Sequence, residues 1–245
     1  MPLATDLPDF RRPDAATVLV SAWLVPDAGM QRPAADAVLA GWEHQRRPDA
    51  MLALSAFLST DGGHVLNYAQ WTDDAAHLEW AHTRRPAAVG RIDEALPGIR
   101  RPGLIRYRRH RSHVPEAPAA TRPAFLTTPA FATTGPDAQR ALADTVVGML
   151  DRERVPGLLG AHLHLSRDGD RVLNIAEWAD ADAWREFTAG GAADRLRAAI
   201  GALPGVTPVP AVPVDDPAAT APAAPSVARY RLHGTVVNIP SPRSR

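Results

Sequence analysis

The chain has 245 residues, of which 45% are hydrophobic and 22% are charged, a composition typical of a globular protein. Its 27 basic and 27 acidic residues cancel, so the charge predicts neither a nucleic-acid partner nor an anionic membrane partner. The lack of cysteine excludes disulfides, thiolate metal ligands and cysteine nucleophiles. MPLATDLPDFRRPD carries no apolar leader, and no apolar run reaches about 18 residues, so we expect a cytoplasmic protein.

The first part of the chain contains the predicted elements of one βαββαβ unit. Apolar or alternating runs predict strands at 17–25, 51–58, 64–71 and 103–111. The stripe Ala35, Val38, Leu39 and Trp42 predicts the first helix, and a second helical stretch runs from 73 to 95 with a break near Pro86. The basic strand RRPGLIRYRRHRSH is predicted to be a solvated edge.

The second part of the chain repeats the first. HVLNYAQW (64–71) returns 107 residues later as RVLNIAEW (171–178), and the same separation places 18–25 on 125–132. Strands are accordingly predicted at 124–132, 158–165, 171–178 and 227–237, with helices after Gly135 and from 180 to 202. We predict two domains, 15–113 and 124–238, a linker at 114–123, and a Pro/Ala-rich insertion at 208–226.

The order βαββαβ is that of the ferredoxin-like split motif, in which helices cover one face of an antiparallel sheet. The other face of each sheet must be buried, and the sister sheet is the obvious partner. The predicted fold class is α+β, with two tandem ferredoxin-like units packing sheet to sheet as an intramolecular pseudo-dimeric α/β barrel. Such a barrel is compatible with a monomer or a homodimer.

One strand face is identical in the two copies. Side chains alternate along a strand, so Asn67, Ala69 and Trp71 share a face, and Asn174, Ala176 and Trp178 repeat it. We expect the variable face to pack on the helices and the repeated face to line an enclosed pocket. Asparagine is depleted in strands and costly to bury without a partner, so these two residues call for a hydrogen-bond partner or a ligand.

The N-x-x-x-W strand after an S-x-D-G turn, within a βαββαβ unit, resembles the antibiotic biosynthesis monooxygenase (ABM) family, and the likeness covers both copies. The resemblance implies that the protein oxidises an aromatic polyketide or polycyclic phenol, anthrone-type to quinone, with dioxygen and without a metal or flavin cofactor. It implies catalytic roles for Asn67, Trp71, Arg91, Asn174 and Trp178.

The second copy departs from the family pattern at one position. The residue equivalent to Arg91 is Ala198, with Arg195 and Arg197 close by but not at the matching place. The resemblance therefore implies that the first copy carries the fuller set of catalytic residues.

Five further residues are predicted to contact the substrate: His162 and His164 on one strand, Phe57 at the equivalent place in the first copy, and His77 and Trp184 at equivalent places on the second helix. A histidine in the second pocket is suited to act as a general base towards a phenol. Two histidines at i and i+2 can ligate a metal, but no third ligand follows at a suitable spacing, so no metal site is predicted.

Two other functions remain open from the sequence. The same fold can cyclise or simply bind a polyketide without dioxygen, because a fold does not determine chemistry. A haem-binding or haem-degrading relative would need an axial histidine, for which His77 and His82 are the candidates. Core roles for both strand tryptophans, and a solvated role for Arg91, are the purely structural alternatives. The expected partners are a small aromatic molecule and dioxygen.

Overall fold

The computed structural model describes residues 4–43, 47–116, 121–210 and 227–238. Its strands are β1 (Thr17–Leu24), β2 (Met51–Ser59), β3 (His64–Trp71), β4 (Leu104–His113), β5 (Phe125–Thr127), β6 (Ala130–Thr133), β7 (Leu158–Ser166), β8 (Arg171–Trp178), β9 (Val206–Val209) and β10 (Arg229–Val237). Its α-helices are α1 (Gln31–Glu43), α2 (Asp74–Thr83), α3 (Arg85–Ala95), α4 (Pro136–Leu150), α5 (Ala181–Ala189) and α6 (Gly191–Gly201). The α+β class is confirmed, and the first copy has the βαββαβ order. The second copy adds the strand β9 before its last strand, and β9 pairs with β6.

The chain forms two compact units whose membership differs from the two sequence copies. Unit 1 comprises Met1–Arg106 and Leu232–Arg245, and unit 2 comprises Tyr107–Arg231. Most of β4, the last strand of the first copy, thus belongs to unit 2, and most of β10 belongs to unit 1. Residues 211–226, most of the predicted insertion, and residues 117–120 of the predicted linker lie outside the described residues.

In unit 1, β3 pairs antiparallel with both β1 and β2, and β10 lies on the other side of β2. Helix α1 packs its apolar stripe on this sheet, and Ala35 and Leu39 are buried against a cluster that includes Ala69 and Trp71. The expectation that the repeated Asn–Trp face looks away from the helices is therefore wrong. The alternation of a strand shows which residues share a face, but not which face the helices cover.

In unit 2, β8 pairs with β7 on one side and with β5 and β6 on the other. The predicted strand at 124–132 is interrupted at Thr128 and Pro129, because proline cannot donate to the ladder. The Tyr107–His113 part of β4 pairs with β7, and its basic residues reach acids of helix α4, as in Arg111–Asp144 at 2.8 Å. The backbone of this basic strand therefore pairs with a neighbouring strand, and Arg111 forms an ion pair with a helix.

The separation between the copies is not constant. Trp71 and Trp178, which lie 107 residues apart, pair with Thr17 and Phe125, which lie 108 apart. The prediction that 18–25 falls on 125–132 is therefore wrong by one residue. Thr127 consequently occupies the place of Leu19, and Phe131 that of Trp23.

The helical stretch from 73 to 95 breaks at Arg84, just before Pro86, and its counterpart breaks at Gly190. Within the described ranges, no helix is both long enough and apolar enough to cross a membrane.

Candidate functional site

Unit 1 contains a cavity of about 100 Å³ between the sheet and helices α1, α2 and α3. Four of the six tryptophans of the chain line it: Trp23, Trp42, Trp71 and Trp80. The rings of Trp42 and Trp80 stack at 4.5 Å between centroids, and the edge of Trp42 meets Trp71 at 6.1 Å. Such walls favour a flat, apolar guest.

Three residues of the cavity wall present polar atoms that lack a hydrogen-bond partner. These atoms are the side-chain nitrogen and oxygen of Asn67 and the Nε1 atoms of Trp71 and Trp80, all buried and unpaired within the part of the chain that the structure describes. An unpaired buried polar group costs about 1–3 kcal/mol. Because all three residues line one cavity, this cavity is the candidate site of unit 1.

His77 on α2 also lines the cavity and is 3% exposed. Its Nδ1 lies 3.1 Å from Nη1 of Arg106, which also forms an ion pair of 2.8 Å with Asp74. Burial, and next the positive charge of Arg106, lower the pKa of His77 to about 4. The imidazole is therefore neutral near neutral pH.

Among the residues that the structure describes, the cation that lines the cavity is Arg85, the first residue of α3, and not Arg91. Arg85, Val89 and Ile92 line the cavity with the spacing of one helix face. Arg91 is exposed, because one residue along a helix is a rotation of about 100°. The residue at the family spacing, Arg91, therefore lies on the same helix as Arg85 but on its exposed face.

Phe57, His162 and His164 lie on the opposite strand face from the Asn–Trp pairs. Phe57 pairs with Leu66, whereas the neighbouring Ala56 pairs with Asn67. Directly paired residues share a face, so Phe57 points away from the cavity. His162 pairs likewise with Ile175, and His164 with Leu173. The expectation that these three residues line a pocket beside the Asn–Trp face is wrong.

Both histidines are held by protein groups. Nδ1 of His162 contacts the Ser112 hydroxyl at 2.9 Å, and its Nε2 contacts Glu177 at 3.1 Å. Nδ1 of His164 donates to the backbone oxygen of His162, and burial lowers the pKa of His164 to about 3. No group of three or more potential metal ligands occurs among the described residues.

The comparison with protein families identifies the second copy. Residues 128–199, from the middle of the interrupted first strand to the end of α6, match the model of the antibiotic biosynthesis monooxygenase family. This stretch of the chain is similar to an ABM domain.

Known proteins extend this assignment. A stretch of 45 residues is 42% identical to tetracenomycin-F1 monooxygenase of Streptomyces glaucescens; it covers 18% of this chain and 40% of the length of that relative. The solved structure of an anthrone oxidase-like protein matches 91% of this chain and 93% of its own with a TM-score of 0.63 at 14% identity. At that identity the structural likeness shows a shared fold.

The strand tryptophan of unit 2 has different neighbours from that of unit 1. Trp178 is 2% exposed, and its Nε1 donates to the Thr127 hydroxyl at 3.0 Å. Its ring contacts Trp184 at 5.0 Å and Phe187 at 5.3 Å. Trp184 stands where unit 1 has His77, and it packs partly buried against the hydrophobic core of unit 2.

The Asn–Trp pair of unit 2 has fewer unpaired polar atoms than that of unit 1 among the described residues. The Oδ1 atom of Asn174 is buried without a partner among the described residues, whereas the Trp178 nitrogen is satisfied. Ala192 replaces Arg85 at the start of the third helix. Repetition of the strand motif found Asn67 and Trp71, but nothing in the repeat indicated Trp80 or Arg85.

Proposed function

We propose that the unit 1 cavity binds an aromatic polyketide or related polycyclic phenol and oxidises it with dioxygen, without a cofactor. The match of residues 128–199 to the ABM family and the partial likeness to tetracenomycin-F1 monooxygenase support a monooxygenase. The observation that carries the proposal is the set of unpaired buried atoms on Asn67, Trp71 and Trp80, three residues that line one aromatic-walled cavity.

The reaction balances without a further reductant. The phenol or anthrone loses a proton, and its anion passes one electron to dioxygen. The two radicals combine into a hydroperoxide at the ring carbon, and loss of water leaves a carbonyl there. One oxygen atom enters the quinone and the other leaves as water, so a CH₂ group and O₂ become C=O and H₂O.

The side chains of unit 1 are suited to stabilise the anionic intermediates of this reaction. Asn67 can donate to the substrate oxygen or to the hydroperoxide, and Trp71 can donate through Nε1 while its ring meets the substrate edge. Arg85, which is always cationic, stabilises the phenolate. The proton leaves to solvent, because no carboxylate lines the cavity among the described residues and Arg106 occupies Nδ1 of His77.

The size of the cavity limits how much of the substrate it holds. An engineered apolar cavity of about 150 Å³ binds benzene, so about 100 Å³ is close to the room needed by one ring. We propose that the reacting ring enters, with a small outward shift of the Trp42–Trp80 pair, while the other rings remain outside. A haem would need several times this volume, which disfavours the haem alternative.

Oxygen uptake with 1,8-dihydroxyanthrone separates oxidation from cyclisation or binding. Protein treated with a chelator should consume one dioxygen per anthrone, faster than the background oxidation in buffer. With ¹⁸O₂, one labelled atom should appear in the quinone and the other in water. Tight binding of the anthrone without extra oxygen uptake would instead support a binding or cyclase role.

A further inference from the structure

His77 meets a cation within the cavity wall. Nη1 of Arg106 carries two hydrogens, and its two neighbours are Oδ1 of Asp74 at 2.8 Å and Nδ1 of His77 at 3.1 Å. A guanidinium only donates, so Nδ1 of His77 must be the acceptor of this hydrogen bond. A neutral imidazole that accepts at Nδ1 carries its hydrogen on Nε2.

We infer that Arg106 is a positioning residue that holds His77 as the Nε2–H tautomer, which makes His77 a hydrogen-bond donor to an oxygen of the cavity ligand. The ligand half of this inference rests on the proposed function. The inference also excludes His77 as the general base, because one ring nitrogen is occupied by Arg106 and the other already carries a proton.

The surroundings of His77 keep the imidazole neutral. The ring stands edge-on to Trp71 at 5.0 Å and is tilted against Trp80 at 5.8 Å. Burial lowers its pKa most, Arg106 and then Arg85 lower it further, and Asp74 raises it, with a net value of about 4. Above about pH 5, therefore, the arrangement of donor and acceptor nitrogens does not change.

The donors around the cavity then outnumber the acceptors. Asn67 Nδ2, Trp71 Nε1, Trp80 Nε1 and His77 Nε2 donate, and Arg85 adds a positive charge. Among the side chains that line the cavity in the described chain, Asn67 offers an amide oxygen, Ser21 a hydroxyl, and none a carboxylate. This balance suits a ring with phenolate or quinone oxygens, and disfavours an aromatic amine or a cationic ring.

The pair of Arg106 and His77 has no equivalent in unit 2. Arg229 corresponds to Arg106 in the repeated motif RYRRH and RYRLH, but Trp184 replaces His77. An indole nitrogen cannot accept a hydrogen bond, so unit 2 keeps the arginine without the residue that it would position.

Side-chain ¹⁵N–¹H spectra of histidine-labelled protein test the tautomer directly, with His77→Gln assigning the His77 signal. The wild type should show a protonated Nε2 and an unprotonated Nδ1 from about pH 5.5 to 8. Arg106→Lys, which keeps a donor, should retain this state. Arg106→Met should give a mixture of tautomers and a raised His77 pKa. A wild-type Nδ1–H tautomer, or an unchanged spectrum in Arg106→Met, would overturn the inference.

Binding of 1,8-dihydroxyanthraquinone, followed by tryptophan fluorescence, tests the donor role. His77→Phe should weaken binding about tenfold, whereas His77→Gln, whose amide nitrogen still donates, should recover most of it. Equal weakening by both substitutions would overturn the donor role. If the wild type does not bind this probe, the ligand half fails together with the proposed function, while the spectra still decide the Arg106–His77 pair.

Discussion

At the scale of single residues, one hydrogen bond distinguishes the two strand tryptophans. Thr127 lies beside Trp178 and accepts its indole hydrogen, whereas Leu19 occupies the same place beside Trp71 and cannot. The unit 1 indole is therefore left with an unused donor in a cavity wall. Both tryptophans are buried, but only the one in unit 1 has an unpaired indole nitrogen among the described residues.

Adjacent threonines allow a matched test of this bond. Thr127→Val should lower the free energy of unfolding by about 1–3 kcal/mol, because it leaves the buried Trp178 nitrogen without an acceptor. Thr128 is equally buried, but its hydroxyl has no partner in the described structure, so Thr128→Val should be neutral or stabilising. Urea denaturation measures both values, and equal losses would contradict the role given to Thr127.

The cavity-lining residues that the sequence singled out are those whose pattern repeats. Asn67 and Trp71 stand out because the same strand face occurs twice, and both line the cavity. His162 and His164 were assigned to the wrong sheet face. The alternation of side chains shows which residues of one strand share a face, but the pairing with the next strand is needed to match that face to the Asn–Trp face. Arg85 has no counterpart in the second copy, so the repeat could not reveal it.

At the scale of elements, a buried glutamine fastens the first helix of each unit to its hairpin. Gln31 donates through Nε2 to the backbone oxygens of Ser59 and His64, at 2.9 Å each. Gln139 does the same with Ser166 and Arg171, at 3.0 and 2.8 Å. The periodic apolar stripes predicted both helices, but a polar residue within a helix gave no sign of this contact.

Removal of either glutamine side chain should destabilise its unit. Gln31→Ala and Gln139→Ala leave buried carbonyl oxygens with fewer donors, which should cost about 2 kcal/mol each. Gln31→Glu should cost at least as much, since a carboxylate cannot donate. Denaturant unfolding followed by circular dichroism measures these changes, and losses below about 0.5 kcal/mol would show that the contact contributes little.

At the scale of the whole molecule, the last strands are exchanged between the sequence copies. Unit 1 contains Leu232–Val237, in which the Thr235 hydroxyl meets Ser55 at 2.8 Å, and unit 2 contains Tyr107–His113. The repeat predicts instead that the last strand of each copy closes that copy's own unit. This prediction is wrong because sequence similarity records ancestry and does not show which sheet a terminal strand joins.

Division of the chain between the copies tests this exchange. A fragment of residues 1–116 lacks the β10 residues of unit 1, and a fragment of residues 121–245 lacks the β4 residues of unit 2. Each fragment alone should give poorly dispersed amide spectra, and coexpression of the two should restore native dispersion. Cooperative folding of the 1–116 fragment by itself would contradict the exchange.

The placement of the chemistry in unit 1 is tested most directly by kcat/KM for oxygen uptake with 1,8-dihydroxyanthrone in Asn67→Ala and Asn174→Ala. We predict a loss of about 100-fold or more for Asn67→Ala, as for removal of one donor to a developing oxyanion, and at most a few-fold loss for Asn174→Ala. Comparable losses in two folded variants, or a larger loss at Asn174, would contradict this assignment.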